Sequence, residues 1–291
     1  MVACKGYQAL PVSTGYDFVV AHRTSDMYAT TAKKPGIVKS VSETGIVVEY
    51  SDGEVKGYEI GRRFGNASGL TIPHTLVTEV VVGQKLKEGD VISYNSDFFA
   101  RDYFDSTQLV MKTGILVKTA LFESSSTIDD PSAISERVSD LLATKITKVK
   151  NIVIAFDQQI HNLVKVKNEV NADDILCIIE DAVTASAGVF DEESLNTLRM
   201  FSAQSPQAKV KGIVERIEVF YNGDKEDMSD SLRAIAIESD IELGKRNKSI
   251  GKKAFTGSVD EGFRIDGTPL SLDSAVIKVY ITTVLNASIG D

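Results

Sequence analysis

GIVKSVSETGIVVEYSDGEVKGYEI, residues 36–60, alternates apolar and polar side chains in short runs punctuated by Glu-Thr-Gly and Ser-Asp-Gly. A two-residue period turns one face of each run toward a core, and the glycine-containing punctuation marks tight turns. The stretch predicts consecutive strands. Further along, LVTEVVVGQKLKEGDVISYN (76–95) keeps the pattern with Lys-Glu-Gly-Asp as a turn, and LVMKTGILVKTAL (109–121) continues it. GNASGLTIP (65–73) reads as a loop by composition. Short strands with regular turns predict a barrel or a sandwich, not a parallel α/β sheet.

The period changes over residues 129–143, where Ile134, Val138, Leu141 and Leu142 recur at helical spacing. Pro131 stands where a first-turn proline is tolerated, after Asp129 and Asp130, which can cap free N–H groups. KNIVIAFD returns to strand, and NEVNADDILCIIEDA (168–182) reads as a turn leading into a buried strand. DEESLNTLRMFSA (191–203) is expected as a helix, with acidic residues early and an arginine late. VKGIVERIEVFYNGD (210–224) is a strand pair or one long bent strand, SDSLRAIAIESDIELGKRN (229–247) a helix, and AVIKVYITTVLNASIGD strand again. The expected class is mainly β with α insertions, α+β.

A chain of 291 residues with 43% hydrophobic and 25% charged residues has the balance of a folded soluble protein. No apolar run reaches the length of a membrane span, and MVACKGYQALPV lacks the order of a signal peptide. Cys4 and Cys177 fit no zinc spacing and are expected as free thiols; His22, His74 and His161 are scattered. The net charge of −9 argues against a free-standing nucleic-acid binder, although local clusters count for more than sums. One such cluster is GKRNKSIGKK (244–253), where Lys245, Arg246 and Lys248 are candidate phosphate contacts. It holds no aromatic for base stacking, so a solvated loop is an equal reading.

Nucleophile elbow, phosphate loop, dinucleotide fingerprint and zinc-protease motifs are all missing from the sequence. Asp173 and Asp174 fall in a turn, where aspartate bonds to nearby backbone. The adjacent pair Asp129–Asp130 is open to three readings: a catalytic pair, a metal site or a helix cap. Residue chemistry alone favours the cap, because side chains adjacent in sequence seldom converge on one substrate.

The segment IDDPSAISERV (128–138) nevertheless resembles a signature of the β subunit of multisubunit DNA-dependent RNA polymerases, an acidic pair followed by Ser-Glu-Arg and an apolar residue. Here Asp129 and Asp130 take the acidic positions, and Ser135, Glu136 and Arg137 the others. Further landmarks run in the family's order: Gln8-Ala9-Leu10-Pro11, PGIVKSVSETGIVVEY, YEIGRRF (58–64), VVGQKLKEGDVI, NEVNADDILCIIEDA, VKGIVERIEVF and IKVYITTVLNASIGD. There are departures. GNASG replaces the family's Arg-Ser-Asn-Gln, the pair is Asp-Asp instead of Glu-Asp, and the sequence stops at the closing Gly-Asp, ahead of the family's Arg-His-Gly loop. Split β-like subunits of giant bacteriophage polymerases are divided in this manner, and a piece cut from a longer chain would have the same ends.

The resemblance implies a β-rich hybrid-binding region over 1–109, part of a double-psi β-barrel over 110–182 and 275–291, and a flap-like domain over 183–274. It implies a subunit of DNA-directed RNA polymerase, a nucleotidyltransferase inactive as an isolated chain. Mg²⁺ would be held mainly by the β′-like subunit, with Asp129 and Asp130 in a supporting electrostatic role near the second, nucleotide-borne metal and no direct metal ligand here. Arg62 and Arg63 join the basic cluster as candidate nucleic-acid contacts. The flap tip NGDKEDMSDSLRAIAIESDIELGKRN offers Leu232, Ile235 and Ile241 for docking a sigma-like specificity factor, or as a local packing stripe. Implied partners are other β-like and β′-like chains, DNA template and RNA product, without a membrane. The implied location is the host bacterial cytoplasm or the virion. A structural or regulatory protein that kept the fold without polymerase activity is the competing expectation.

Overall fold

A computed structural model describes residues 3–12, 14–67, 69–121, 132–181, 203–253 and 255–289. It is mainly β, 40% strand against 15% helix, so the α+β expectation holds at class level. All paired strands with a stated register are antiparallel, and no sheet among the described residues closes into a barrel. The chain divides into two units, residues 1–146 with 249–251 and 284–291, and residues 147–248 with 252–283. No helix among the described residues is long and apolar enough to cross a membrane.

The first unit opens with α1 (Tyr16–Arg23) and β1 (Ala29–Thr31). The stretch 36–60 then forms β2 (Gly36–Val41), β3 (Gly45–Tyr50) and β4 (Val55–Glu59), joined by turns at the two expected places. Val38, Ile46, Val48 and Tyr58 lie on the inner face, each at most 5% exposed. Burying side chains of that size stabilises by about 1.5–3 kcal/mol apiece, which is why the alternation is decisive. The Tyr50 and Tyr58 hydroxyls share a buried hydrogen bond of 2.5 Å. β5 (Gly61–Ala67) and β6 (Leu70–Val77) follow, then β7 (Lys85–Leu86) against β2, β8 (Val91–Asn95), β9 (Phe99–Arg101) and β10 (Leu109–Met111). β5, β6, β8 and β1 pair in that order, and β9 pairs with β10.

Three expectations in this unit are corrected. GNASGLTIP is no loop: Gly65, Asn66 and Ala67 pair with Ile72, Thr71 and Leu70 in a hairpin whose tip includes Gly69 at φ +78°. Weak strand formers are held there by ladder bonds, and glycine supplies the left-handed turn. LVMKTGILVKTAL forms strand only at Leu109–Met111, with one bridge from Gly114 to Gln8; residues 115–121 belong to no strand. Among the described residues, the helix expected over 129–143 is confined to α2 (Glu136–Leu141), and none of its residues is fully buried. Its N-cap is Ser135, whose Oγ accepts from Val138 N at 3.3 Å, so the cap expected of the acidic pair is supplied by a serine.

The second unit holds most of β11 (Thr144–Ala155), with β12 (Gln159–His161), β13 (Glu169–Val170), β14 (Ile178–Glu180) and β15 (Gly212–Asn222). These are followed by α3 (Asp230–Ser249), β16 (Arg264–Ile265), β17 (Thr268–Pro269) and β18 (Ser274–Leu285). The principal ladder runs β11-β18-β15-β13. β15 is one long strand with a register shift between Val214 and Arg216, which gives the expected bend. Its odd-numbered residues Ile217, Val219 and Tyr221 face a core with Ile277, Val279, Leu176 and Leu232. Asp174 takes the expected turn role, its carboxylate accepting from Asn171 N at 2.7 Å. The helix expected at 191–203 lies outside the described residues but for its last position.

α3, the helix expected over 229–247, extends to Ser249 and carries the basic cluster open to a phosphate-contact or a solvated-loop reading. Lys245, Arg246 and Lys248 are helical, and Arg246 and Lys248 fall in its last turn, where positive charge favours the macrodipole. The helix closes with Gly251 at φ +70° and Lys252 N donating to Asn247 O at 3.1 Å, a Schellman ending that only glycine adopts without strain.

Candidate functional site

Three segments far apart in sequence meet in the first unit. Ser139 Oγ of α2 donates to Ala287 O at 2.5 Å, and Asn286 Nδ2 donates to Asp140 Oδ1 at 3.3 Å. On the amino-terminal side, Gly6 N donates to Leu141 O at 2.7 Å and Lys5 N to Ala143 O at 2.8 Å. Thr144 Oγ1 donates to Ala3 O at 2.9 Å, and Gln8 N to Gly114 O at 2.9 Å. The end of α2 and the residues after it, from Ser139 to Ala143, are thus held between the Lys5–Gly6 segment and the tail that follows β18. Glu136 and Arg137 are exposed, while Ser135 is committed to its cap. Asp129 and Asp130 lie outside the described residues.

Beside this junction is a cavity of about 140 Å³, lined by Cys4, Lys5, Pro73, Asp97, Phe98 and Lys145 among others. Its walls are part apolar, with two lysines and one aspartate among the lining residues. Sequence reading missed Lys5, Lys145 and Asp97. They come from three separate segments and share no motif; the Cys4–Thr144 bridge and the bonds beside it bring the two lysines together. Behind Phe98, His74 is 3% exposed, and the Asn95 amide donates to its Nδ1 at 2.7 Å. Burial holds its pKa below the ordinary histidine value.

The basic candidates are mostly engaged within the chain. Arg62 Nη1 donates to Thr75 Oγ1 at 2.9 Å, and Arg63 pairs with Glu59 at 3.1 Å, both in the first unit. In the second, Lys245 pairs with Glu242 at 2.9 Å on the surface, and Lys248 is exposed. Arg246 meets Glu218 at 3.0 Å, Arg216 lies 3.6 Å from the same carboxylate, and the Tyr280 hydroxyl donates to it at 3.0 Å. Glu218 is 8% exposed, so two guanidinium groups and a phenol satisfy a buried acid. Burial and the neighbouring Arg246 charge lower the Arg216 pKa; burial and then Glu218 raise that of Tyr280. Glu218 sits among even-numbered residues of β15, opposite the core face, and that alternation was its only trace in the sequence.

Of the docking candidates, Leu232 is fully buried in the core and cannot serve as an exposed anchor, a correction that follows from its place on the inner face of α3. Ile235 packs against the same core, and Ile241 is 52% exposed. Both cysteines are free; burial pushes the Cys177 thiol up to about 11, whereas Cys4 is half-buried. Among the described residues no group of three or more His, Cys, Asp or Glu is placed to hold a metal ion. No family model matches the chain, and no curated protein matches it.

Proposed function

We propose that this chain is a β-like part of a multisubunit DNA-directed RNA polymerase, forming some of the active-centre wall and the RNA exit channel. The observation that supports the reading most is the junction in the first unit. Segments adjoining three of the ordered landmarks meet there: α2, which begins at Glu136, bonds through Ser139 and Asp140 to the segment after β18, and Leu141 accepts from Gly6, two residues before Gln8. In this reading β11 and β18 contribute strands to a double-psi β-barrel. The region 1–109 faces the RNA–DNA hybrid, and 183–274 is the flap.

Nucleotidyl transfer employs two magnesium ions that stabilise the attacking and leaving oxygens. In this reading both belong to the β′-like chain and the incoming nucleotide. Asp129 and Asp130 act at one remove, orienting a water or a neighbouring cation by charge. Asp129→Asn with Asp130→Asn, assembled with its partner chains, is expected to elongate RNA more slowly while assembling normally. Normal elongation by that variant would reduce the pair to a structural role.

One observation favours the second reading, a structural or regulatory protein without polymerase activity. Arg63, Lys245 and Arg246 each pair with a carboxylate within the chain, which offsets part of the positive charge that phosphates would need. Binding to an RNA–DNA hybrid whose affinity falls steeply with added salt would favour the polymerase part; salt-independent or undetectable binding would favour the structural one.

A further inference from the structure

The turn between β9 and β10 presents two aromatic rings to solvent, Tyr103 at 93% and Phe104 at 95% exposure. They stack edge to face on each other, ring centroids 5.4 Å apart. The turn beneath them is fixed by its own side chains. Asp102 Oδ1 accepts from Phe104 N at 2.7 Å and from Asp105 N at 2.8 Å. Asp105 Oδ1 accepts from Thr107 N at 2.9 Å and from Thr107 Oγ1 at 2.5 Å. Arg101 spans the base, pairing with Glu79 at 2.9 Å and donating to Thr107 O at 3.3 Å. Rigid aromatic side chains of this kind carry binding energy with little ordering entropy to lose, which is the character of interface anchors.

Charge decides what they fit. The only arginine at the turn is matched by Glu79, so Asp102 and Asp105 leave the tip negative. A single-stranded nucleic acid would offer bases to stack, yet its phosphates would meet two carboxylates, with the turn's own Arg101 already paired to Glu79. We propose that the Tyr103–Phe104 tip is a docking element for another protein, seated in an apolar pocket whose rim carries lysine or arginine. The inference does not depend on the polymerase reading, because it rests on this turn alone.

The test replaces Phe104 by the photo-crosslinker benzoylphenylalanine in the full chain, expressed in its native cells, and maps the residues joined on irradiation. The expected product joins position 104 to a different protein, at an apolar site with lysine or arginine alongside. Asp102→Asn with Asp105→Asn keeps the side-chain oxygens that hold the turn while removing both charges, and is expected to lower the crosslink yield several-fold. Crosslinks to nucleic acid or to a second copy of this chain would overturn the proposal. So would a partner site lacking basic residues, a yield unchanged in the double variant, or no crosslink at all.

Discussion

Ser135 and His74 illustrate how single residues carry more than their sequence context reveals. The Ser135 oxygen satisfies the Val138 N–H at the start of a six-residue helix. Ser135→Ala is therefore expected to lower stability by about 0.5–2 kcal/mol in denaturant titration, whereas Ser135→Asp retains most of it. Acidic Asp129 and Asp130 looked the better caps in the sequence, but a cap works only from the residue next to the first helical turn, and that place belongs to Ser135. At His74 the sign of a pH effect is fixed by burial, which lowers the pKa in the folded chain. The unfolded histidine, near the ordinary value of about 6.5, then binds more protons than the folded one just below that pH. Stability is complete above that value and is lost as pH falls through the window beneath it. The melting temperature is expected to drop between about pH 7 and pH 5.5 and to drop less in His74→Gln; identical profiles would refute the assignment.

Among the elements, α3 separates packing from exposure along one helix. Leu232 is fully enclosed and Ile241 about half exposed. Leu232→Ala is expected to cost about 2–5 kcal/mol through loss of burial and the cavity left behind. Ile241→Ala should change stability by less than about 0.5 kcal/mol, measured by the same unfolding curves. A comparable loss at both positions would place Ile241 in the core after all. The sequence made α3, β2–β4, β15 and β18 legible because their periodicity runs for many residues. It misread 65–73, where glycine and asparagine look like loop residues but the cross-strand ladder that starts at Gly61 and Leu76 overrides composition. It overread 115–121, because an apolar run becomes a strand only when a neighbour supplies the ladder, and Gln8 does so no further than Gly114. The bend in β15 was legible as an alternative, and the register shift beside Val214 chooses between the two.

For the molecule as a whole, the landmarks were readable in one dimension, and the bonds that tie α2 to the Lys5–Gly6 segment and to the tail after β18 were not. Hydrogen bonds such as Ser139 to Ala287 leave no mark on composition or period. The same holds for Lys5, Lys145 and Asp97, which become neighbours only around a cavity. The central claim is that this junction belongs to a polymerase assembled from several chains. Its most direct test is purification of the tagged chain from the cells that make it, followed by protein identification and a template-dependent RNA synthesis assay. The account predicts co-purification with another β-like chain and with a β′-like chain that holds the magnesium. It also predicts RNA synthesis by that complex and none by the isolated chain. Recovery of this chain without either partner, or in a complex that makes no RNA, would contradict it.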